Sequence, residues 1–286
     1  MVNNRHSTAG NTNFPTIPVS EREGLLLRFL YHTILGRIIL WLLIRESVSK
    51  LLGHLFNSRI SKRYIKKFII KNNINMSRFE EKEYQCFNDF FTRKLKNVEE
   101  KKETAFTAPC DGKLTVYPID ENQILNIKHS KYTISSLIQD KALAQKYQNG
   151  YCLIFRLTPD DYHRYHFIDD GTIKSSKQIK GVLHTVRPIA LKAYAVYSEN
   201  SRVVTEMETK HFGVITQIEV GALMVGKIKN HEKEMFKKGE EKGMFLFGGS
   251  TIILLVEKNK INIIPEILKN TEKNKETLIH YQDILE

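Results

Sequence analysis

An α+β fold, with helices first and a mostly antiparallel β core after them, is predicted by three observations. Apolar residues recur at helical spacing through residues 25–96 and a charged run over Glu99–Glu103 then breaks the pattern. Short apolar strands follow at turn-sized intervals as far as residue 257. The 286 residues suit one large domain, or one domain with an appendage, and are enough to bury a proper core. The division read from these signals is a loose tail over 1–20, a helical region over 21–100 and a β-rich domain over 101–286.

Residues 1–20 are polar, rich in Asn, Ser and Thr, and carry Pro15 and Pro18, so a loose tail without a secretory signal is expected. Residues 25–44, LLLRFLYHTILGRIILWLLI, form the most apolar stretch and read as helix. Arg28, His32 and Arg37 interrupt it, and an arginine near the centre of a span costs about 3 kcal/mol on insertion scales. A helix lying in a membrane interface, or packed in the protein, is therefore expected rather than a span.

The next segment tips that choice. Over Arg59–Lys71 a helix puts Ile60, Tyr64, Ile65, Phe68 and Ile69 on one side, and Lys62, Arg63, Lys66 and Lys67 on the other. The net charge of +12 is concentrated here: residues 1–70 hold 11 Lys and Arg against 3 Glu, an excess of +8. This pattern predicts a region resting on an anionic membrane surface. No nucleic-acid motif accompanies the cations, so no nucleic-acid partner is expected. Cys86, Cys110 and Cys152 form no paired framework and no metal-ligand spacing, which fits a reducing compartment. The expected location is peripheral, on the cytoplasmic face of the cell membrane. Phe79–Lys96, with Tyr84, Phe87, Phe91 and Leu95 at helical spacing, reads as a core-facing helix.

Beyond the charged run the expected strands are Lys113–Tyr117, Tyr151–Leu157, Lys180–Val186, Tyr194–Tyr197, Val203–Glu208, Val214–Val220 and Phe245–Glu257, with some helix at 134–147.

Three turns carry candidate chemistry. Phe247-Gly248-Gly249-Ser250-Thr251 runs into the apolar stretch Ile252–Val256, so a hydroxyl sits where a strainable turn enters a buried strand. That position suits attack of the Ser250 oxygen on the carbonyl just before it, that of Gly249. Taken alone, Gly-Gly-Ser is better read as ordinary turn chemistry leading into a core strand. Asp111, in Pro109-Cys110-Asp111-Gly112, precedes the first strand and by itself is best read as closing a turn. His163 and His166 flank Arg164 after the strand Tyr151–Leu157. A His-x-x-His pair can hold a metal, but no third and fourth ligands are apparent, and no metal is expected. An Asp, a His and a Ser, each at a turn, can together deprotonate a serine hydroxyl.

Several blocks together, far more specific than any one of them, resemble phosphatidylserine decarboxylase. They are Phe-Phe-Thr-Arg-Lys-Leu (90–95), Pro-Cys-Asp-Gly (109–112), Asp-Tyr-His-Arg-Tyr-His (161–166), His-Thr-Val-Arg-Pro-Ile-Ala-Leu (184–191), Glu-Val-Gly-Ala-Leu-Met-Val-Gly (219–226) and Phe-Gly-Gly-Ser-Thr (247–251). The likeness runs over roughly residues 25–257. That family often has Ala where Cys110 stands and Leu where Gly248 stands, and neither change removes a reacting group. The resemblance implies self-cleavage at Gly249-Ser250, with His166 as base and Asp111 as its partner. The products are a β chain, 1–249, and an α chain, 250–286, held as a heterodimer. Ser250 becomes a pyruvoyl group, the covalent cofactor, whose carbonyl forms a Schiff base with the amine of phosphatidylserine and takes up the electrons left when CO2 departs. His163 is the candidate proton donor in that turnover. Arg164, Arg187 and Lys192 are candidates for the lipid phosphate from charge alone.

Two other readings compete. A membrane-attached Ser-His-Asp hydrolase uses the same three residues but stays one chain. A lipoyl- or biotin-carrier-like β module is suggested by Glu219–Lys227, yet Lys227 lacks the usual Met-Lys context. Ordinary diacyl lipid is expected over a diether, from the long N-terminal helical region.

Overall fold

The computed structural model describes residues 14–19, 23–96, 103–127, 130–223, 227–246, 248 and 250–286. Strand β1 (Thr16–Pro18) comes first, then helices α1 (Leu25–His32), α2 (Ile34–Leu43) and α3 (Glu46–Asn57). A 3-10 turn over Arg59–Tyr64 runs into α4 (Ile65–Lys71), and a second at Met76–Arg78 precedes the short α5 (Phe87–Phe91). The β-rich part opens with β2 (Gly112–Pro118), the hairpin of β3 (Ile124–Ile127) and β4 (Ser130–Thr133), and helices α6 (Ile134–Ile138) and α7 (Lys141–Gln145). Next come β5 (Tyr151–Leu157), β6 (Arg164–His166), β7 (Gly171–Ile179), α8 (Pro188–Leu191) and α9 (Val196–Glu199). They are followed by β8 (Arg202–Thr209), β9 (Gly213–Val220), β10 (Ile228–Asn230), β11 (Met235–Phe236) and β12 (Glu241–Phe245). The chain ends through β13 (Ser250–Val256), α10 (Pro265–Glu272) and β14 (Lys275–Ile279).

Among the described residues nine strands form the main sheet, in the order β1-β14-β2-β5-β13-β9-β8-β7-β11, and every pairing is antiparallel. β13 is the middle strand, paired with β5 on one side and β9 on the other. Its continuous apolar run follows from burial on both faces: Ile253 and Leu255 enter one core, and Ile252, Leu254 and Val256 the other. A smaller sheet, β10-β12-β6, stands beside it. The α+β class and the antiparallel core are thus as the sequence predicts.

Several elements differ from expectation. Within the stretch read as a tail, Thr16–Pro18 pairs with β14 as an edge strand, where Pro18 costs no central ladder bond. The apolar helix at 25–44 is two helices bent by 99° at Thr33. Thr33 is extended and its Oγ1 accepts from the Gly36 N–H (2.9 Å), restarting the helix with a proper cap. A Cβ on Gly36 would lie 1.9 Å from the Phe29 carbonyl oxygen, so only glycine permits this crossing. No single helix among the described residues is long and apolar enough to cross a membrane.

In 59–71 the expected apolar face is mostly used internally. Ile65 is buried, and Phe68 and Ile69 pack with Phe87, Phe90 and Phe91 in an aromatic cluster. Phe79–Lys96 is not one helix, because Glu80, Glu81, Lys82 and Glu83 offer nothing to bury; only Phe87–Phe91 is α-helical, and Phe79 bridges to Leu95. Lys180–Val186 is not a strand: β7 already ends at Ile179, and the Asn200 amide holds the following loop through His184 and Gly221. Tyr194–Tyr197 falls at the start of α9 instead. Phe245–Glu257 divides in two. β12 belongs to the small sheet and β13 to the large one, so the chain changes sheets across residues 246–249.

Candidate active site

The sheet change brings the predicted turn to the head of the central strand. Gly248 has φ +133°, a conformation that favours glycine, and Gly249 and Phe247 lie outside the described residues. Ser250 pairs with Leu157 of β5 and is fully buried. Among the described residues its Oγ has no hydrogen-bond partner. An orphaned buried hydroxyl costs stability, and a position that keeps one calls for a chemical reason.

His163 sits beside this turn. Its Nδ1 faces the Asp161 carbonyl oxygen at 2.9 Å, so Nδ1 carries the proton in the neutral ring and Nε2 the lone pair. Nε2 is buried without a partner of good hydrogen-bond geometry, with the Gly248 backbone against the ring. Burial, helped by the nearby Arg93 charge, pushes the imidazole down to about 3. The Phe245 N–H donates to the His163 carbonyl (3.0 Å), and the Phe91 ring lies 3.9 Å from the imidazole.

His166 occupies the other end of β6. Nδ1 donates to the Gly239 carbonyl (3.0 Å), and Nε2 accepts from the Tyr162 hydroxyl (3.0 Å). The ring stacks on Tyr281 with centroids 4.1 Å apart. Burial lowers this imidazole to about 4, against a smaller opposing pull from the Glu241 and Asp111 charges. Asp111, also buried, accepts from both terminal nitrogens of Arg78 (2.9 and 3.2 Å) and from the Tyr281 N–H (2.8 Å). Asp111 and His166 therefore share Tyr281 and an electrostatic neighbourhood, without a direct hydrogen bond between them.

The three cations expected at a lipid phosphate are not brought together. Arg164 is spent on Glu241 and on the Thr92 carbonyl, tying β6 to the segment after α5. Arg187 pairs with Glu23 (3.4 Å). Lys192 lines a cavity of about 710 Å³ with Arg28 and His32, against α1.

Four residues that sequence reasoning missed support the site. Arg78 and Tyr281 hold Asp111 across 33 and 170 residues, which nothing local in the sequence marks, whereas Tyr162 holds His166 from four residues away, inside the quoted 161–166 block. Arg93 does fall in the quoted 90–95 block. It is almost fully buried, caps the Asp160 and Asp161 carbonyls (2.8 and 3.1 Å), and lies over Phe79 and Phe90. Asp161 in turn accepts from the Thr158 N–H and hydroxyl and from Lys113. These contacts fix the 158–163 turn that presents His163.

Similarity to known proteins shows the family. Residues 87–276 match the family model for phosphatidylserine decarboxylase. The chain is 50% identical to phosphatidylserine decarboxylase proenzyme 2 of Clostridium acetobutylicum over 257 residues, covering 88% of each. It is 42% identical to the phosphatidylserine decarboxylase proenzyme of Clostridium kluyveri (88% of this chain, 89% of the relative) and 40% identical to that of Fusobacterium nucleatum (90% and 89%). With a buried serine at the sheet change and two buried histidines behind it, the chain belongs to the phosphatidylserine decarboxylase family.

Proposed function

We propose that this chain is a proenzyme that cuts itself between Gly249 and Ser250 and then decarboxylates phosphatidylserine to phosphatidylethanolamine. One observation carries the reading: Ser250 is fully buried, with an unpartnered Oγ at the head of β13. A hydrolase serine must meet a substrate from outside, whereas this hydroxyl is shut inside the uncut chain. The carbonyl within its reach by connectivity is that of Gly249. The same burial counts against the serine-hydrolase reading, and family membership counts against a carrier module.

Cleavage proceeds by attack of Ser250 Oγ on the Gly249 carbonyl carbon, exchanging the amide for an ester as the Ser250 nitrogen is released. Loss of the Ser250 α-proton breaks the ester Cβ–O bond and leaves a carboxylate on Gly249. Water then displaces ammonia from residue 250. The pyruvoyl group so formed supplies an electron sink for decarboxylation. Asp111, His166 and Ser250 form the relay for cleavage, and His163 delivers the proton in turnover. Both imidazoles are neutral at pH 7, as a base must be, and His163 delivers a proton only after its Nε2 has accepted one from the ammonium group of the lipid. One observation favours the exchanged assignment: His163 Nε2 is the unpartnered lone pair beside Gly248, whereas Tyr162 covers that of His166.

The proposed location is peripheral, on the cytoplasmic face of the cell membrane, and the apolar surface of α1 and α2 supports its contact with a membrane. Leu25, Leu26, Ile34, Leu35, Ile38 and Trp41 are exposed side by side with Arg28, Arg37 and Arg45. The direct test of maturation is the intact mass of Ser250→Ala. A single uncut, inactive chain is expected, and a variant that still splits after residue 249 rules out attack by the serine.

A further inference from the structure

A cavity of about 470 Å³ lies between α3 and the main sheet. Its size suits a small polar ligand. Leu246 lines it, four residues before Ser250, and so does Gly221. β9 and β13 pair Val220 with Thr251, and one step further along that antiparallel register Gly221 comes opposite Ser250. The cavity therefore reaches the head of β13, and a glycine leaves that approach without a side chain.

Its walls carry two lysines against one carboxylate, that of Glu46. Lys50 and His54 project from α3, and Lys227 from the strand-side wall. Ser49, on the same helix face, is 3% exposed, and among the described residues its Oγ has no partner. Buried hydroxyls are normally paired, so a ligand oxygen in this cavity would complete the Ser49 hydroxyl. The opposite face of α3 carries Leu51 and Leu55, both exposed. One helix thus offers cations inward and leucines outward, as a lipid with an anionic head and apolar tails requires.

We infer that this cavity is the headgroup site, with the phosphodiester of phosphatidylserine held by Lys50 and Lys227 and by the Ser49 hydroxyl. Arg164, Arg187 and Lys192 do not line it. The inference rests on the decarboxylase reading and adds the residues that position the lipid.

The test has a binding arm and a kinetic arm. Ser250→Ala keeps the chain uncut, and glycerophosphoserine is titrated into it by calorimetry. Binding is expected, with clear weakening in Lys50→Ala and Lys227→Ala made in that background; free serine is expected not to bind. Equal affinity in all three proteins overturns the site, and inorganic phosphate binding as tightly as glycerophosphoserine overturns a headgroup site in favour of free phosphate. In the mature enzyme each lysine variant should raise KM for a short-chain phosphatidylserine about tenfold, the loss expected for a charge-assisted hydrogen bond. Cleavage on a gel should match wild type, as should KM for Lys258→Ala at the far end of β13. An unchanged KM in the double variant, or lysine variants that fail to mature, overturns the assignment. Wild-type protein that does not decarboxylate phosphatidylserine contradicts the proposed function instead, and the binding arm still judges the cavity.

Discussion

His163 and His166 stand three residues apart, yet their surroundings differ in what each ring can do. Both present a neutral imidazole with the proton on Nδ1. Cleavage needs a base beside Ser250, and turnover needs a proton donor at the same point later. A carboxylate neighbour raises imidazole basicity, and Asp111 acts on His166 in that sense. His166→Ala and Asp111→Ala are therefore expected to block cleavage, while His163→Ala cleaves at least in part and decarboxylates poorly. A gel for the short chain, run beside CO2 release, separates these outcomes. If His163→Ala abolishes cleavage and His166→Ala matures, the unpartnered Nε2 beside Gly248 marks the true base. Because burial holds His166 at about 4, a cleavage rate that depends on it should stay flat from pH 8 to about 5 and fall near 4. A midpoint near 6.5 would mean that the acting base is solvated. The same shifts affect stability. Below pH 6.5 the unfolded chain takes up protons at both positions, whereas the folded chain resists until about 4 and 3. Stability should thus decline as pH falls from 6.5 towards 4, and His163→Gln should flatten that decline in thermal melts.

At the scale of elements, α1 and α2 make the strongest claim on a partner. Their bend at Thr33 spreads Leu25, Leu26, Ile34, Leu35 and Ile38 over one surface instead of threading them through a span. The intact protein should bind vesicles containing phosphatidylserine, less tightly as salt rises, because the flanking arginines act through a screened field. Replacing Ile38 and Trp41 by Asp should weaken binding about tenfold or more, since each buries apolar area worth about 1.5–3 kcal/mol. Vesicle binding that ignores both salt and these substitutions would remove α1 and α2 from the interface. These elements also show what the sequence made legible. β2, β5, β8, β9 and β13 were readable because each carries its own run of apolar residues, central strands above all. The division at Thr33 was not, since hydropathy alone does not register a threonine cap and a close glycine contact. Likewise the helix expected over Phe79–Lys96 rested on four aromatic or aliphatic positions, and the aromatic cluster buries most of them with only the short α5 in place of a continuous helix. In the site, Ser250, His163, His166 and Asp111 announced themselves as blocks of sequence. Arg78 and Tyr281 did not, because their contacts with Asp111 span 33 and 170 residues.

For the whole molecule, the position of the cut decides what happens after it. The chain beginning at Ser250 supplies β13, α10 and β14, and these enter the main sheet at two separate places. β13 lies between β5 and β9, whereas β14 lies between β1 and β2. Every residue of β13 is buried, and Tyr281 of the same segment holds Asp111 through its N–H while stacking on His166. Ile252, Ile253, Leu254 and Leu255 each contribute about 1.5–3 kcal/mol by burial, before any ladder hydrogen bond is counted. Breaking one peptide bond at the sheet change removes none of these contacts. The 37 residues from Ser250 to Glu286 should therefore stay bound to the larger chain as a one-to-one heterodimer. Gel filtration of the mature protein in native buffer, followed by mass analysis of the peak, is expected to find both chains together, and denaturant should be needed to part them. A short chain eluting alone in native buffer would mean that the sheet reorganises after cleavage and that β13 leaves its central place.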